Sequence, residues 1–457
     1  MNCKRKKFII VLTLIFSFVF ISCTPEVLEK PRSDNIEESE TEGSLDEVDV
    51  EPNINQESIK KDHKLSANLD GHIDYLIRDN SFLQFTERIT NFSVGNWNAG
   101  RTFNTVVPTV FNVSLLYNKY IMPFDYFLVT SESVPIHDRP SSNSNIIGEA
   151  KLFDKMQLVN EVEGEKIQSN NSNKWYGVGF YDTNGTPSQG FIPSGSGDVR
   201  TFRFESMYGA IKKLEDNLVK NKQGYISNYK DNNGSPPLLN GKGIDSYGMQ
   251  AYQSAPAYSS LDNLNEFRYL PDGMLVFILG EVKGYFKVKC IDYEGEYWIP
   301  KKYISFDNNL DRFNKSIIVD TANQNQGVFE KRGSKWTLVS YTLATTGVKG
   351  KRKYETPIGC FKVLDKKERF YYISDNSNEI IGYAPYGVRF TQGAYFHGVP
   401  VEYTFKDEEK IDPGIKEYLF TIGTVPRSHK CVRNFTSHAK FLYDWADPND
   451  TAVIVIK

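Results

Sequence analysis

Two stretches of this chain repeat one pattern of short strands, and such a pattern admits few folds. Val129 to Pro193 runs through a strand, a turn at Arg139-Pro140-Ser141-Ser142, a strand ending near Ala150, Met156 to Val159, Trp175-Tyr176-Gly177-Val178 and Gly190-Phe191-Ile192-Pro193. Gln250 to Ile304 repeats that order: Tyr252 with Pro256, Pro271-Asp272-Gly273, Met274 to Leu279, Tyr285-Phe286-Lys287-Val288 and Tyr297-Trp298-Ile299-Pro300. Short β-prone runs bounded by turn residues at this spacing predict small barrels. The aromatic share of 14% agrees, because aromatic side chains pack well on pleated surfaces. Phe286, Val288 and Cys290 fall on one face of a strand, so Cys290 is predicted to be a core thiol.

These segments, 122–200 and 243–306, resemble bacterial SH3-like domains. The resemblance implies cell-wall binding, or positioning of an attached catalytic domain; a structural spacer is the plainer alternative. Between them, residues 201–242 read as a helical connector. Met207, Ile211, Leu214 and Leu218 recur at helical spacing with Lys and Glu opposite, which predicts an amphipathic helix packed on one of the barrels.

At 457 residues the chain has room for three or more units. It begins with Lys4-Arg5-Lys6-Lys7, an apolar run from Phe8 to Ile21, then Ser22-Cys23, which is the layout of a secretory signal. The run is too short for the roughly 20 residues of a spanning helix. Ser22-Cys23 resembles a lipoprotein cleavage site, which implies that residues 1–23 are a signal peptide and that Cys23 carries lipid. Phe20 and Ile21 depart from the residues usual there. Residues 24–64 are acidic and poor in large apolar side chains, as expected of a flexible linker. Residues 65–121 read as a short helix followed by strands or irregular chain, with no functional signal. The formal charge of −3 gives no basic field, so no nucleic-acid partner is expected. The five cysteines show no CxxC pair and no regular spacing, hence neither a disulfide framework nor a zinc ribbon.

The chemistry concentrates in residues 312–457. Strands are expected at Ile317-Ile318-Val319-Asp320, Gly327-Val328-Phe329, Trp336 to Val339 and Gly359 to Val363, with a loop edge at Thr345-Thr346-Gly347. His397-Gly398 precedes Ser428-His429-Lys430-Cys431-Val432-Arg433-Asn434. A thiol with an ordinary pKa of about 8.5 needs help to act as a nucleophile at neutral pH. Thr436 to Ala446 reads as a helix ending at Asp447-Pro448, so its N-terminus, together with Lys430 and Arg433, is expected to favour the Cys431 thiolate. Cys360 points away from the Phe361 and Val363 face, so it is not obviously buried, and with no histidine near it in sequence it reads as a bystander. His438 is expected to be a solvated helix residue. His429, Cys431 and His438 lack a fourth ligand at metal-site spacing, so no metal is expected.

This order of segments resembles the YkuD family of L,D-transpeptidases: a His, a spacer, then Ser/Thr-His-Gly-Cys-apolar-Arg/Asn, with Thr346-Gly347 and Thr356-Pro357-x-Gly359-x-Phe361 as weaker upstream landmarks. Two positions depart from it. Lys430 stands at the usual glycine, which questions a positive φ there, and residues 398–427 make a spacer about twice the usual length, its charged middle at Lys406 to Lys410 marking a surface insertion.

The resemblance implies a mainly β, multidomain protein with two SH3-like small β-barrels and a β-rich catalytic domain. Cys431 is then the nucleophile, His397 the base and the Gly398 carbonyl its orienting acceptor. The amides of His429, Lys430 and Cys431 become oxyanion donors, Arg433 a holder of a substrate carboxylate, and Ser428 and Asn434 further substrate-side residues. His429 is better placed as support than as base. The implied activity is acyl transfer from a tetrapeptide stem of peptidoglycan to an acceptor amine, without cofactor, by an exported enzyme lipid-anchored at the bacterial cell envelope and sensitive to carbapenems. An L,D-carboxypeptidase using water and a non-catalytic wall-binding lipoprotein are the alternatives. A papain-like peptidase would place its cysteine before its histidine, the reverse of the order here.

Overall fold

The computed structural model describes residues 99–457 apart from 169–170, 183–185, 351–352, 375–378 and 407–408. The signal, Cys23, the acidic linker and the helix expected after residue 65 lie outside the described residues. What is described is mainly β, with two α-helices.

The internal repeat is a repeat of topology. The first module has strands β1 (Asp125–Val129), β2 (Ser133–His137), β3 (Ile146–Lys151), β4 (Lys155–Ile167), β5 (Ser172–Tyr181), β6 (Pro187–Pro193) and β7 (Gly197–Thr201). The second has β8 (Lys222–Ile226), β9 (Ser254–Tyr258), β10 (Phe267–Pro271), β11 (Leu275–Val282), β12 (Tyr285–Lys289), β13 (Tyr297–Pro300) and β14 (Ile304–Ser305). The sheet orders are β3-β2-β6-β5-β4-β1-β7 and β10-β9-β13-β12-β11-β8-β14, the same order in both. An extra strand, Ala99–Thr102, pairs with β4. Cys290, one residue past β12, is buried in the core with Val288.

Two boundaries differ from the sequence reading. Lys222–Tyr225 pairs in register with Leu275–Ile278, so the second module starts about twenty residues earlier than the alternating pattern showed. Its polar sequence, Lys-Gln-Gly-Tyr-Ile, hides a strand whose pairing is supplied by tertiary context. The connector therefore reduces to helix α1 (Phe204–Lys220), which does not pack simply on a barrel. Met207, Ile211 and Leu214 share a core with Ile318, Phe329, Leu338 and Ile454 of the C-terminal domain, as well as with Leu275 and Phe277 of the second module. Each such side chain contributes ~1.5–3 kcal/mol by leaving water.

The C-terminal domain stacks two sheets. One holds β15 (Lys315–Asp320), β16 (Asn325–Arg332), β17 (Lys335–Leu343), β18 (Gly359–Lys362) and, last in the chain, a strand at Thr451–Ile456 that runs parallel to β15; Asn112–Val113 adds to its edge. The other holds β19 (Asp365–Ile373), β20 (Ile380–Thr391), β21 (Ala394–His397) and β22 (Val432–Arg433). Alternation along β15 divides the cores: Ile317 and Val319 pack with Val388, Phe390, Phe396 and Val432 between the sheets, while Ile318 faces α1. Helix α2 (Thr436–Trp445) inserts Leu442 into the inter-sheet core.

The second module docks on this domain through its Pro271-Asp272-Gly273 turn. Asp272 receives Arg389 Nη1 at 2.9 Å, and its carbonyl accepts Thr391 Oγ1 at 2.6 Å. Gly273 has φ +83°, and a Cβ there would sit 2.2 Å from the Phe390 carbonyl oxygen, so only glycine fits. Arg389 and Asp272 are both buried. Breaking such a pair strands a charge, so Asp272→Ala is expected to lower unfolding free energy by about 3 kcal/mol in urea titrations. A loss below about 1 kcal/mol would mean that this pair does not hold the interface.

Candidate active site

The site is made by pairing two short strands that are distant in sequence. β21 and β22 run parallel, with Phe396 opposite Val432 and His397 opposite Arg433. Phe396 and Val432 enter the inter-sheet core, whereas Tyr395 and Cys431 join Phe370 and Ala384 on the other side. Strand alternation thus places His397 and Arg433 on the same face as Cys431. Asn434 N–H closes the pairing by donating to the His397 carbonyl at 2.9 Å.

The Cys431 residue is fully buried, and the histidine is 1% exposed. The thiol faces the Gly393 carbonyl at 3.8 Å, and its sulfur accepts from Tyr395 N–H at 3.5 Å. His397 Nδ1 lies 2.6 Å from the Gly398 carbonyl, an acceptor, which assigns the proton to Nδ1 and leaves Nε2 with its lone pair. Nε2 has no hydrogen-bond partner among the described residues. Burial lowers the His397 pKa to about 4; the Gly398 contact opposes this and the Arg433 charge adds to it. The imidazole is therefore neutral at pH 7 and able to receive a proton. Gly398 is required where it stands, because a Cβ would meet Thr436 Oγ1 at 2.7 Å and Pro385 Cγ at 2.9 Å.

The landmarks upstream prove to be the frame of the turn that carries Cys431. Ser428 donates its hydroxyl to the Cys431 carbonyl at 2.5 Å, and its N–H to the Thr346 carbonyl at 3.2 Å. The Thr356 hydroxyl accepts from Gly347 N–H and donates to the Lys430 carbonyl, at 2.8 and 2.7 Å. A Cβ on Gly347 would stand 2.4 Å from the Tyr354 carbonyl oxygen and 2.7 Å from Lys430 N. Lys430 keeps the left-handed backbone, φ +74°, despite not being glycine. That conformation costs an L-residue roughly 1–2 kcal/mol, which its four hydrogen-bonding contacts can offset.

Several expectations change here. Lys430 N–H donates to the Tyr354 carbonyl at 3.0 Å, so it is not an oxyanion donor. His429 packs its ring edge-on against Tyr354, at 5.6 Å between centroids. Asn434 is wholly enclosed, as Cys431 is, and neither amide atom has a partner among the described residues. His438 is not solvated: it is buried between Gln326 Nε2 and Ser340 Oγ, each at 3.0 Å, and burial lowers its pKa to about 3. Cys360 is buried too, and burial pushes its thiol up. No cluster of potential metal ligands occurs among the described residues.

The helix argument also fails in its expected form. Glu417, from the spacer after His397, accepts from Ser437 N–H at 2.8 Å with its carboxylate and from Thr436 N–H at 3.0 Å with its carbonyl. A carboxylate on the first turn takes up the partial positive charge that was expected to act on Cys431. The spacer is thus only partly a surface insertion. Thr404–Lys406 and Glu409–Ile411 form an exposed hairpin, but Asp412 then holds Tyr383 Oη at 3.1 Å, and Glu417 anchors α2. Glu417 escaped the sequence reading because no local pattern marks a residue whose partners are distant.

With this geometry in view, comparison with known proteins gives one assignment. Residues 314–455 match the YkuD family, the L,D-transpeptidase catalytic domain, and this part of the chain is a domain of that kind. No curated protein matches the chain. Among solved structures, an L,D-transpeptidase from Mycobacterium smegmatis is 17% identical, with 40% of this chain and 82% of that one covered and a TM-score of 0.24. The LD transpeptidase LdtMt1 in complex with imipenem is 16% identical, with coverage of 40% and 81% and a TM-score of 0.24. A fused Zn-dependent amidase/peptidase/peptidoglycan-binding domain-containing protein from Clostridium acetobutylicum is 20% identical, with a TM-score of 0.22; 31% of this chain matches it and spans about half its length, 52%. These likenesses are too distant to carry argument.

Two buried histidines have a consequence for stability. In the unfolded chain both titrate near 6.5, whereas the folded values are about 4 and about 3. Below pH 6.5 the unfolded state binds protons that the folded state refuses, so stability falls as pH drops, by up to ~1.4 kcal/mol per pH unit for each histidine. Urea titrations between pH 6.5 and 5.0 are expected to show this slope, reduced in His438→Gln. A flat profile would contradict burial of neutral imidazoles.

Proposed function

We propose that this protein is a cysteine-dependent peptidoglycan L,D-transpeptidase. The observation that carries the reading is the placement of His397 and Cys431 on one face of paired strands, with an imidazole lone pair awaiting a proton, inside a domain of the L,D-transpeptidase family. Cys431 Sγ attacks the carbonyl joining the third stem residue to the terminal D-alanine, and the thiol proton passes to His397 Nε2. The amides of His429 and Cys431 are the donors proposed for the oxyanion. Collapse of the tetrahedral species breaks the C–N bond; His397 returns the proton to the leaving amine, and D-alanine departs. An acceptor amine of a second stem then attacks the thioester, gives its proton to His397, and the thiol is restored.

Arg433, whose charge is felt at His397 and at Tyr372, is the proposed holder of a stem carboxylate. The reading extends to the rest of the chain: export, lipid on Cys23, the acidic linker as a tether, and the twin modules as SH3-like wall-binding domains. Carbapenems, which acylate by attack of a nucleophile on a strained amide, are the inhibitor class proposed.

Incubating the protein without its first 64 residues with tetrapeptide muropeptides tests the reaction. Cross-linked dimers with release of D-alanine are expected, and Cys431→Ala is expected to lose at least 1,000-fold of the rate, as removal of a covalent nucleophile does. Tripeptides without dimers would replace transfer by hydrolysis. Unchanged muropeptides would overturn both.

A further inference from the structure

Beside the nucleophile, the Lys430 side chain reaches out of its own domain. Its Nζ donates to Gln392 Oε1 at 2.9 Å and to Gln250 Oε1, and stands 5.1 Å from the centre of the Tyr354 ring. Gln392 lies in the turn between β20 and β21; Gln250 lies in the long loop between β8 and β9 of the second module. Gln392 is itself seated on that module, since its Nε2 donates to the Tyr252 carbonyl at 3.0 Å and to Ser254 Oγ at 2.9 Å. It carries a left-handed backbone as well, φ +37°. The residue after Gln392 supplies the carbonyl that faces the Cys431 thiol, and Tyr395, two further on, supplies the amide to the sulfur. Two chain segments that meet at the sulfur are therefore pinned to the second module one residue away, Lys430 on one side and Gln392 on the other.

An ammonium held by two side-chain amide oxygens is directional: its charge-assisted bonds have fixed acceptors in two different domains. A glycine at position 430 would adopt the same φ without strain and without such a connection. We infer that the second module is a working part of the active site, with Gln250 and Gln392 holding Lys430, a positioning residue, and thereby fixing Cys431 Sγ relative to His397 Nε2. The inference rests on Cys431 being the reactive thiol of the proposed function and on nothing about the substrate.

Alkylation of the full chain by iodoacetamide, followed by peptide mapping across a range of pH, tests it, because the probe is small, neutral and blind to peptidoglycan. Gln250→Ala is expected to slow labelling of Cys431 about 10-fold, the size of effect that loss of a bond to a charged group produces, with the melting temperature little changed. The pH at half-maximal rate is expected to rise, because a sulfur displaced from the Tyr395 amide loses a donor that favours the thiolate. Gln250→Glu keeps an acceptor oxygen and is expected to restore the rate. Lys430→Gly is expected to react slowly without loss of stability, since it removes the anchor together with the strain. Wild-type rates and pH profile in Gln250→Ala, or slowing that only follows unfolding, would overturn the inference. Labelling of the wild type at Cys360 or Cys290 in place of Cys431 would overturn it and the proposed function together, whereas failed muropeptide turnover with these alkylation results intact would sink the function alone.

Discussion

Parallel pairing of Ala394–His397 with Val432–Arg433 is the interaction on which the rest depends. A parallel pair needs a long crossover, and here residues 398–431 provide it. That length makes room for Glu417 to cover the start of helix α2 and for Asp412 to engage Tyr383, so the connection builds structure while it closes the gap. The strands are short, and their register is fixed from below by Phe396 and Val432 in the inter-sheet core. A slip of Val432–Arg433 by one residue would turn Cys431 and Arg433 into that core and bring Val432 to the site.

The electrostatics of the site follow from its enclosure. With His397 nearly without solvent and beside Arg433, the neutral imidazole is favoured, which suits the proposed role of proton acceptor. The charge of helix α2 is spent on Glu417, so it gives the sulfur little help. Close to Cys431 stand the Tyr395 amide at the sulfur, and a turn whose strained residue, Lys430, is bonded at its amide, its carbonyl and its ammonium.

The parts legible in the sequence were those with local periodicity or a spaced motif. The twin modules show in the Trp175 to Val178 and Tyr285 to Val288 strands, and the structure gives both the same strand order. Helix α2 reads from Thr436 to Ala446, and ends at Trp445. His397 and Cys431 read from their motif. The sequence could not show that Lys222–Ile226 is a strand, because its pairing partner lies fifty residues on. It misplaced α1, because an amphipathic stripe tells which face is buried and not against what. His438 looked solvated for want of any view of Gln326 and Ser340, residues separated from it by about a hundred positions. Lys430 looked like a defect in the turn, and its partner in another domain explains why the turn survives.

The central claim is that Cys431 is the nucleophile of this site. Intact-mass analysis and peptide mapping after incubation with imipenem test it most directly. The account predicts one covalent adduct per chain, located on Cys431 and absent in Cys431→Ala. An adduct that persists in that variant, or that maps to Cys360, would contradict it.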